Sequence, residues 1–395
     1  MTENKKNSAL EWVWVETTEH LNTLVDKWMQ SNWLAFDTEF MRTDTFYPKV
    51  GLIQVSDQNG CYLIDPLAIE DLSSLAQLIA APSPLKVLHS MSEDVEVFRC
   101  ALGVSPGSIF DTQIAGAILG MGHAIGYQSL VNIEMGILLD KEETRSDWLQ
   151  RPLTTRQQEY AARDVWYLAK IYPKLIERLT HQNLYDAVLE ESAQFVKQSD
   201  SGDEELERYY LKFRGAWRYN IPKQRILQVL ASWRERNARE HNVPRGQILT
   251  DAAILCIADR QPQNIHVLRQ IKDISPRIMN RFGDTIMSLI SGVAVQHAPG
   301  AHWERIPRPL SGRALDLYRE LKEFCVKIAE KEGIAPELLA RKKLLEQVAA
   351  MAMQPGPLKY PESFCEWRLK VLGSGFEKLI IDFRSKYESN NLLNL

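Results

Sequence analysis

WLAFDTEF, residues 33–40, is the stretch that sets the fold class: its first four residues are apolar, no helical period fits it, and it reads as a buried strand. Working outward, GLIQVS (51–56) and CYLID (61–65) are two more strand-like runs. Asp57-Gln58-Asn59-Gly60 separates them, and its Asn-Gly can supply the positive φ that a hairpin turn needs. LKVLH (85–89) is a fourth strand, and helical patterns lie near 71–80, 92–102, 112–119, 127–136 and 155–179. Strands alternating with helices predict an α/β domain, and the hairpin makes its sheet a mixed one.

At 395 residues the chain exceeds one ordinary core, so more than one domain is expected. Its 45% hydrophobic and 25% charged content is that of a soluble globular protein. The start, MTENKKNSALEWVWV, lacks the roughly 7-to-15-residue apolar run of a signal peptide and the longer one of a membrane span. A cytoplasmic protein with no membrane association is expected. The five cysteines (Cys61, Cys100, Cys256, Cys325, Cys365) have no C-x-x-C spacing, which argues against a zinc site or a disulfide framework. Charge divides the chain in two. Residues 1–200 carry 16 Lys and Arg against 28 Asp and Glu, a net −12, whereas residues 201–395 carry 31 against 23, a net +8. An acidic half suits cations and a basic half suits polyanions, although a merely solvated basic surface has the same composition.

KQSDSGDEE, near 197–205, is polar and aperiodic, so the first domain should span 1–200. The remainder of the chain reads as helical. A second break, from Ser291-Gly292 through Pro299-Gly300 to Pro307, Pro309 and Gly312, separates two blocks, 207–292 and 310–395. These resemble a diverged repeat at an offset of 91 residues, aligning Leu230, Trp233, Ala238, Val243, Pro244 and Ile248 with Leu321, Phe324, Ala329, Ile334, Ala335 and Leu339.

The chemistry lies in acids aimed inward. Asp37 and Glu39 are two apart on a strand and leave the same face, a costly arrangement unless a cation lies between them. In HSMSEDVEVF, Ser90 and Glu93 have capping-box spacing, which leaves Asp94 on the helix face of Val97 and Phe98. In TTRQQEYAARDVWYLAKIYPKLIERL, Thr155 with Gln158 opens a long helix. Tyr160 and Asp164 share its packed stripe with Leu168, Ile171, Leu175 and Leu179. An unpaired buried carboxylate costs several kcal/mol even after relaxation, and metal coordination removes that conflict. Four carboxylates balance two divalent cations, Mg²⁺ or Mn²⁺. Such a pair, about 3.5–4 Å apart, stabilises both the attacking and the leaving oxygen of a phosphodiester displacement. With an ordinary pKa near 10, a tyrosine is a poor base at neutral pH, so Tyr160 is expected to orient the attacking water.

DTEF with RTDTFYPKVGLIQVSD, then LHSMSEDVEVF, FDTQ and SDWLQRPLTTRQQEYAARDVWYL, resemble the ribonuclease D family over about residues 33–170. The resemblance implies a ribonuclease H-like exonuclease fold whose metal ligands are Asp37, Glu39, Asp94 and Asp164. Tyr160, four residues before Asp164, places the chain in the tyrosine branch of that superfamily; position 159 is Glu, not the His of the other branch. ILQVLASWRERNAREHNVPRGQILTD resembles an HRDC domain, and the last block looks like a degenerate second copy, with Ala335 for Pro244 and Lys342 for Asp251. The implied architecture is an α/β exonuclease domain followed by two small all-α HRDC-type domains. The implied activity is removal of 5′-mononucleotides from RNA 3′ ends, including those of tRNA precursors, with no obligate protein partner.

Other residues carry weaker signals. Asp111, just ahead of a helical run, reads as an N-cap rather than a fifth ligand. His89 could meet RNA or simply end a strand. Arg145, Asp147, Trp148 and Arg151 could hold a substrate phosphate or pin the last helix. Trp217, Arg218, Tyr219, Lys223 and Arg225 interleave aromatic and cationic residues as RNA-binding surfaces do. Removing 205–395 is therefore expected to spare cleavage of short oligomers and weaken the hold on tRNA precursors. A DNA exonuclease could use the same acids, and only 2′-hydroxyl contacts would separate the two; a non-catalytic RNA-binding protein would have no need to keep all four acids and Tyr160.

Overall fold

A computed structural model describes residues 10–139, 146–199, 202–295 and 303–392. Two compact units are present: residues 1–41, 49–199 and 310–395 form one, and residues 42–48 with 200–309 form the other. The first unit begins with β1 (Trp12–Val15), α1 (Thr18–Trp28), β2 (Trp33–Met41), β3 (Lys49–Ser56), β4 (Cys61–Ile64), α2 (Ser73–Ala80) and β5 (Leu85–Leu88). It continues through α3 (Ser92–Leu102), β6 (Ile109–Asp111), α4 (Thr112–Ile118), α5 (Tyr127–Met135), α6 (Thr155–His181) and α7 (Tyr185–Ser199). The sheet order is β1-β4-β3-β2-β5-β6. β2–β3 and β3–β4 are antiparallel and the remaining pairs parallel, the mixed sheet that the hairpin predicts.

Four elements escaped the sequence reading: β1, α1, β6 and α7. β6 is three residues long, too short to show a period, and WVWV of β1 gains its meaning only by pairing with β4. The turn chemistry also differs. Positive φ falls on Gln58 (76°), because the Asp57 carboxylate accepts the Asn59 and Gly60 amides at 3.1 Å each and bends the chain as an Asx turn. Both capping boxes need correction. Helix α3 starts at Ser92 with no side-chain cap, Ser90 has φ 57°, and Glu93 is exposed. The Ser90 and Met91 amides donate instead to Asp111, at 2.9 and 3.1 Å. Helix α6 is capped by Thr154 with Gln157, one residue upstream of Thr155 and Gln158. Gln157 fixes that register by also donating to the Asp147 carbonyl at 3.0 Å.

Alternation along the strands sorts the core into two faces. Leu34, Phe36, Ile53 and Val55 pack with Leu21, Leu78 and Phe98 from α1, α2 and α3. On the other face Leu52 and Leu63 lie with Ala161, Ala162 and Val165 of α6 and with Trp148. Gly51 is required there, since a Cβ would sit 2.5 Å from the Trp148 carbonyl oxygen.

The second unit is helical: α8 (Gly202–Arg208), α9 (Ile221–Glu240), α10 (Arg245–Ile248), α11 (Asp251–Arg260), α12 (Ile265–Arg269) and α13 (Pro276–Val295). Residues 42–48 belong to it. Phe46 is buried in its core, the Phe46 and Tyr47 amides donate to Asn242 Oδ1 at 3.1 and 3.0 Å, and the Arg245 guanidinium lies 4.6 Å from the Phe46 ring.

The last block is α14 (Gly312–Glu332), α15 (Pro336–Leu339), α16 (Lys342–Ala352) and α17 (Glu366–Leu392), the last broken at Gly373 by a φ of 62°. Helices α15 and α16 start 91 residues after α10 and α11. The turns repeat as well: Val243 N–H donates to Ala238 at 3.0 Å, and Ile334 N–H to Ala329 at 2.9 Å. This block shares a core with the sheet-bearing part of its unit, where Leu317, Leu345 and Phe376 join Leu130, Ile171 and Leu175. Glu191 of α7 is buried against Arg368, accepts the Trp367 indole N–H at 2.7 Å, and lies 3.1 Å from Arg341.

Candidate active site

Asp37 and Glu39 sit in the second half of β2, just before a bulge between Glu39 and Phe40. Leu52 and Asp37 share, by strand alternation, the face covered by α6, and α6 brings Asp164 to the same place. One carboxylate oxygen from each of Asp37, Glu39 and Asp164 lies within 4.8 Å of the other two. Asp94, on α3, stands outside that trio. It is buried, and the hydroxyl of Thr38, the residue between the two β2 acids, donates to its Oδ1 at 2.6 Å. The helix-face reading therefore separates Asp94 from exposed Glu93 correctly, even though the capping box behind it is absent.

Burial and mutual repulsion push the acids toward their protonated forms. Asp37 is raised well above the usual carboxylate range by burial first, then by the charges of Asp94, Asp164 and Glu39. Glu39 is raised by burial and by Asp164 and Asp94. Burial lifts Asp94 and Asp164 to about 7 each, against the opposing hydrogen bonds from Thr38 and Tyr160. A divalent cation reverses both causes at once, and the donors here, all hard carboxylate oxygens converging on one point, fit one.

Tyr160, one turn before Asp164 on α6, has its hydroxyl within hydrogen-bonding reach of that carboxylate. Burial, then Asp164, Glu39 and Asp37, pushes its pKa above the ordinary 10, so the hydroxyl stays protonated. Its ring packs 6.2 Å from buried Trp148. Tyr127 of α5 is a residue that sequence reasoning missed. Its hydroxyl donates to the Asp164 main-chain carbonyl, and the charges of Asp164 and Asp37 act on it. No local pattern marks such a residue, because its role is made by the approach of α5 to α6. His89 packs its ring 5.4 Å from that of Tyr127 and meets the Thr112 hydroxyl at 3.0 Å. Burial lowers its pKa to about 4, which leaves the imidazole neutral.

Asp111 caps α4, accepting the Gln113 amide at 2.7 Å, as its sequence context predicts. Arg145 lies outside the described residues. The guanidinium of Arg151 is engaged by Asp65 at 2.6 Å through two nitrogens and by the Gly51 carbonyl at 2.6 Å, so it ties the segment before α6 to the sheet. In the second unit, Trp217 and Tyr219 are half-buried against the helical core. Arg218 is exposed, 5.1 Å from the Trp217 ring, and Lys223 pairs with Asp259 at 2.7 Å. Arg225 is half-buried and has partners of its own. The interleaved set is thus partly a packing surface, with Arg218 its most open cation.

Residues 12–180 match a family described as 3′-5′ exonuclease, and residues 223–290 match the HRDC domain. A ribonuclease D of Pseudomonas paraeruginosa is 39% identical over 93% of this chain and 96% of its own length. One from Escherichia coli is 33% identical over 89% of this chain and 93% of its own. The crystal structure of Escherichia coli RNase D, described as an exoribonuclease involved in structured RNA processing, aligns with a TM-score of 0.82 at 31% identity, covering 94% of this chain and 99% of that one.

Proposed function

The chain belongs to the ribonuclease D family, and from that premise we infer that it is a metal-dependent 3′-to-5′ exoribonuclease acting on structured RNA, with Asp37, Glu39, Asp94 and Asp164 as its metal-binding acids. One observation carries the metal reading: one carboxylate oxygen from each of Asp37, Glu39 and Asp164, on β2 and α6, lies within 4.8 Å of the other two, where a divalent cation would offset both their burial and their mutual repulsion. Two Mg²⁺ or Mn²⁺ ions bound by these acids would supply the Lewis acidity that stabilises the attacking and leaving oxygens of phosphodiester hydrolysis.

The side chains divide the remaining work. Asp37 and Glu39 lie where β2 pairs with β3, opposite Gln54 and Leu52, and that pairing sets their spacing. Thr38 fixes the orientation of Asp94 by its 2.6 Å hydrogen bond, and Tyr127 anchors the backbone at Asp164. Tyr160 keeps its proton and acts as a donor that orients the attacking water, not as a base. The products are 5′-mononucleotides, and the substrates are RNAs with an unpaired 3′ end, tRNA precursors foremost, in the cytoplasm. We assign residues 1–200 to the exonuclease domain, 207–292 to a first HRDC domain and 310–395 to a degenerate second one. The 91-residue repeat of helices and turns supports the last assignment. His89, Trp217, Arg218, Tyr219, Lys223 and Arg225 are the candidates for RNA contact. Among the described residues no helix is long and apolar enough to cross a membrane.

The test is a time course on 5′-labelled single-stranded RNA and matched DNA with Mg²⁺, repeated with chelator and with Asp164→Asn. Stepwise shortening of RNA from the 3′ end, abolished in both controls, is expected. Activity surviving Asp164→Asn would remove Asp164 from the site, and equal rates on DNA would remove the RNA preference.

A further inference from the structure

Strand β3 carries an amide where its surroundings favour a hydrocarbon. Gln54 is fully buried, and neither its Oε1 nor its Nε2 has a hydrogen-bond partner. The next residue on its face of β3 is Leu52, and its register partner on β4 is Leu63, both buried in the cluster beneath α6. Leucine would suit that position, whereas an unpaired amide gives up its water with nothing to offset the loss. Across the sheet on the other side, the register partner of Gln54 is Asp37. Residues directly opposite in an antiparallel pair project from one face with Cβ atoms about 4.5–5.5 Å apart. The amide of a glutamine extends far enough to reach a carboxylate at that separation.

We propose that Gln54 is a positioning residue for Asp37: its Nε2 donates to one carboxylate oxygen of Asp37 when the other oxygen holds a cation, which fixes the carboxylate in its binding orientation. Being fully buried, Gln54 touches neither RNA nor solvent and acts through Asp37 alone. The amide lacks a partner here because its partner takes up the required rotamer only under the pull of the cation. Donors behind metal-binding carboxylates typically change metal affinity by about 10–100-fold when removed. The proposal rests on the reading of Asp37 as a metal ligand.

The experiment uses the full chain, with Mn²⁺ binding followed by titration calorimetry and stability by thermal unfolding without metal. Gln54→Leu is expected to unfold at the same temperature as the unsubstituted protein or higher, and to bind Mn²⁺ about 10–100-fold more weakly. At saturating Mn²⁺ its KM for RNA should stay unchanged. Gln54→Met, nearly isosteric, should behave alike. A Mn²⁺ Kd raised by less than about tenfold over that of the unsubstituted protein in either folded variant overturns the role, the lower end of that range being the threshold. So does a clear drop in metal-free stability in both variants, because it would mean that the amide is already bonded within the fold. Asp37→Asn is the reference: if it binds Mn²⁺ as well as the unsubstituted protein does, the metal reading itself has failed, a different result from a silent Gln54.

Discussion

Arg368→Met is the sharpest test of how the last helical block is held. Arg368 and Glu191 are each 1% exposed at the side chain and face one another across the packing of α17 on α7. Burial alone would raise Glu191, yet the charges of Arg368 and Arg341, with the hydrogen bonds from Arg368 and Trp367, lower it below the usual range. Removing one partner of a buried pair costs about 3–5 kcal/mol, since the other charge is left without compensation. Here Arg341, 3.1 Å away and 42% exposed at its side chain, and the Trp367 N–H at 2.7 Å still serve Glu191. The Leu338 carbonyl loses its donor at 3.2 Å as well. The lower end, about 3 kcal/mol, is therefore expected, and for a unit of this size it corresponds to a fall in Tm of roughly 5 °C. Because the Glu191 pKa is depressed in the folded state, its contribution is present above the unfolded pKa of about 4.5 and is lost as pH falls through the lower folded value. The gap between the two proteins should accordingly narrow in acid. The assay is calorimetric unfolding at neutral and acidic pH, with Glu191→Gln and the double variant completing a cycle. A Tm change of less than about 1 °C for Arg368→Met, or strictly additive effects in the cycle, would refute the reasoning.

The same geometry sets three further outcomes. Deleting 205–395 is expected from the sequence to leave a working nuclease, but α14–α17 share a core with α5 and α6, so the truncated chain should be unfolded or aggregated, as circular dichroism and gel filtration would reveal. Burial lifts Asp94 and Asp164 to about 7. Their raised pKa values favour the fold at low pH, and that contribution is lost as pH rises through about 7. Cation binding needs the deprotonated forms of all four acids, so Mn²⁺ affinity should climb as pH rises through about 7 in calorimetric titrations, and an affinity independent of pH across that range would refute this. Gly51→Ala would place its Cβ 2.5 Å from the Trp148 carbonyl oxygen. A loss of about 1–3 kcal/mol is expected in denaturant unfolding, with reduced kcat because Trp148 backs Tyr160.

The sequence carried the sheet and the acids because both are written in short-range pattern. Trp33–Phe36 ahead of Asp37, and the 155–179 stripe, express burial through spacing alone, and the choice of Asp94 over Glu93 needed only a helix face. Local rules erred where two registers fit the same residues. Thr154–Gln157 and Thr155–Gln158 have the same spacing, and a contact to Asp147 decides between them. Asn-Gly suggested one turn, and the Asp57 carboxylate made another.

The order of amino acids determined by itself that a mixed α/β sheet forms and that Asp37, Asp94 and Asp164 turn inward, since periodicity acts within a few residues of each position. Only the tertiary structure decided which groups complete the site and which blocks share a core. Tyr127 reaches Asp164 through the approach of α5 to α6, Gln54 faces Asp37 through strand register, and Glu191 meets Arg368 across 177 positions of chain. Those pairings are distances in space between segments that no local pattern links, and packing alone brings them together.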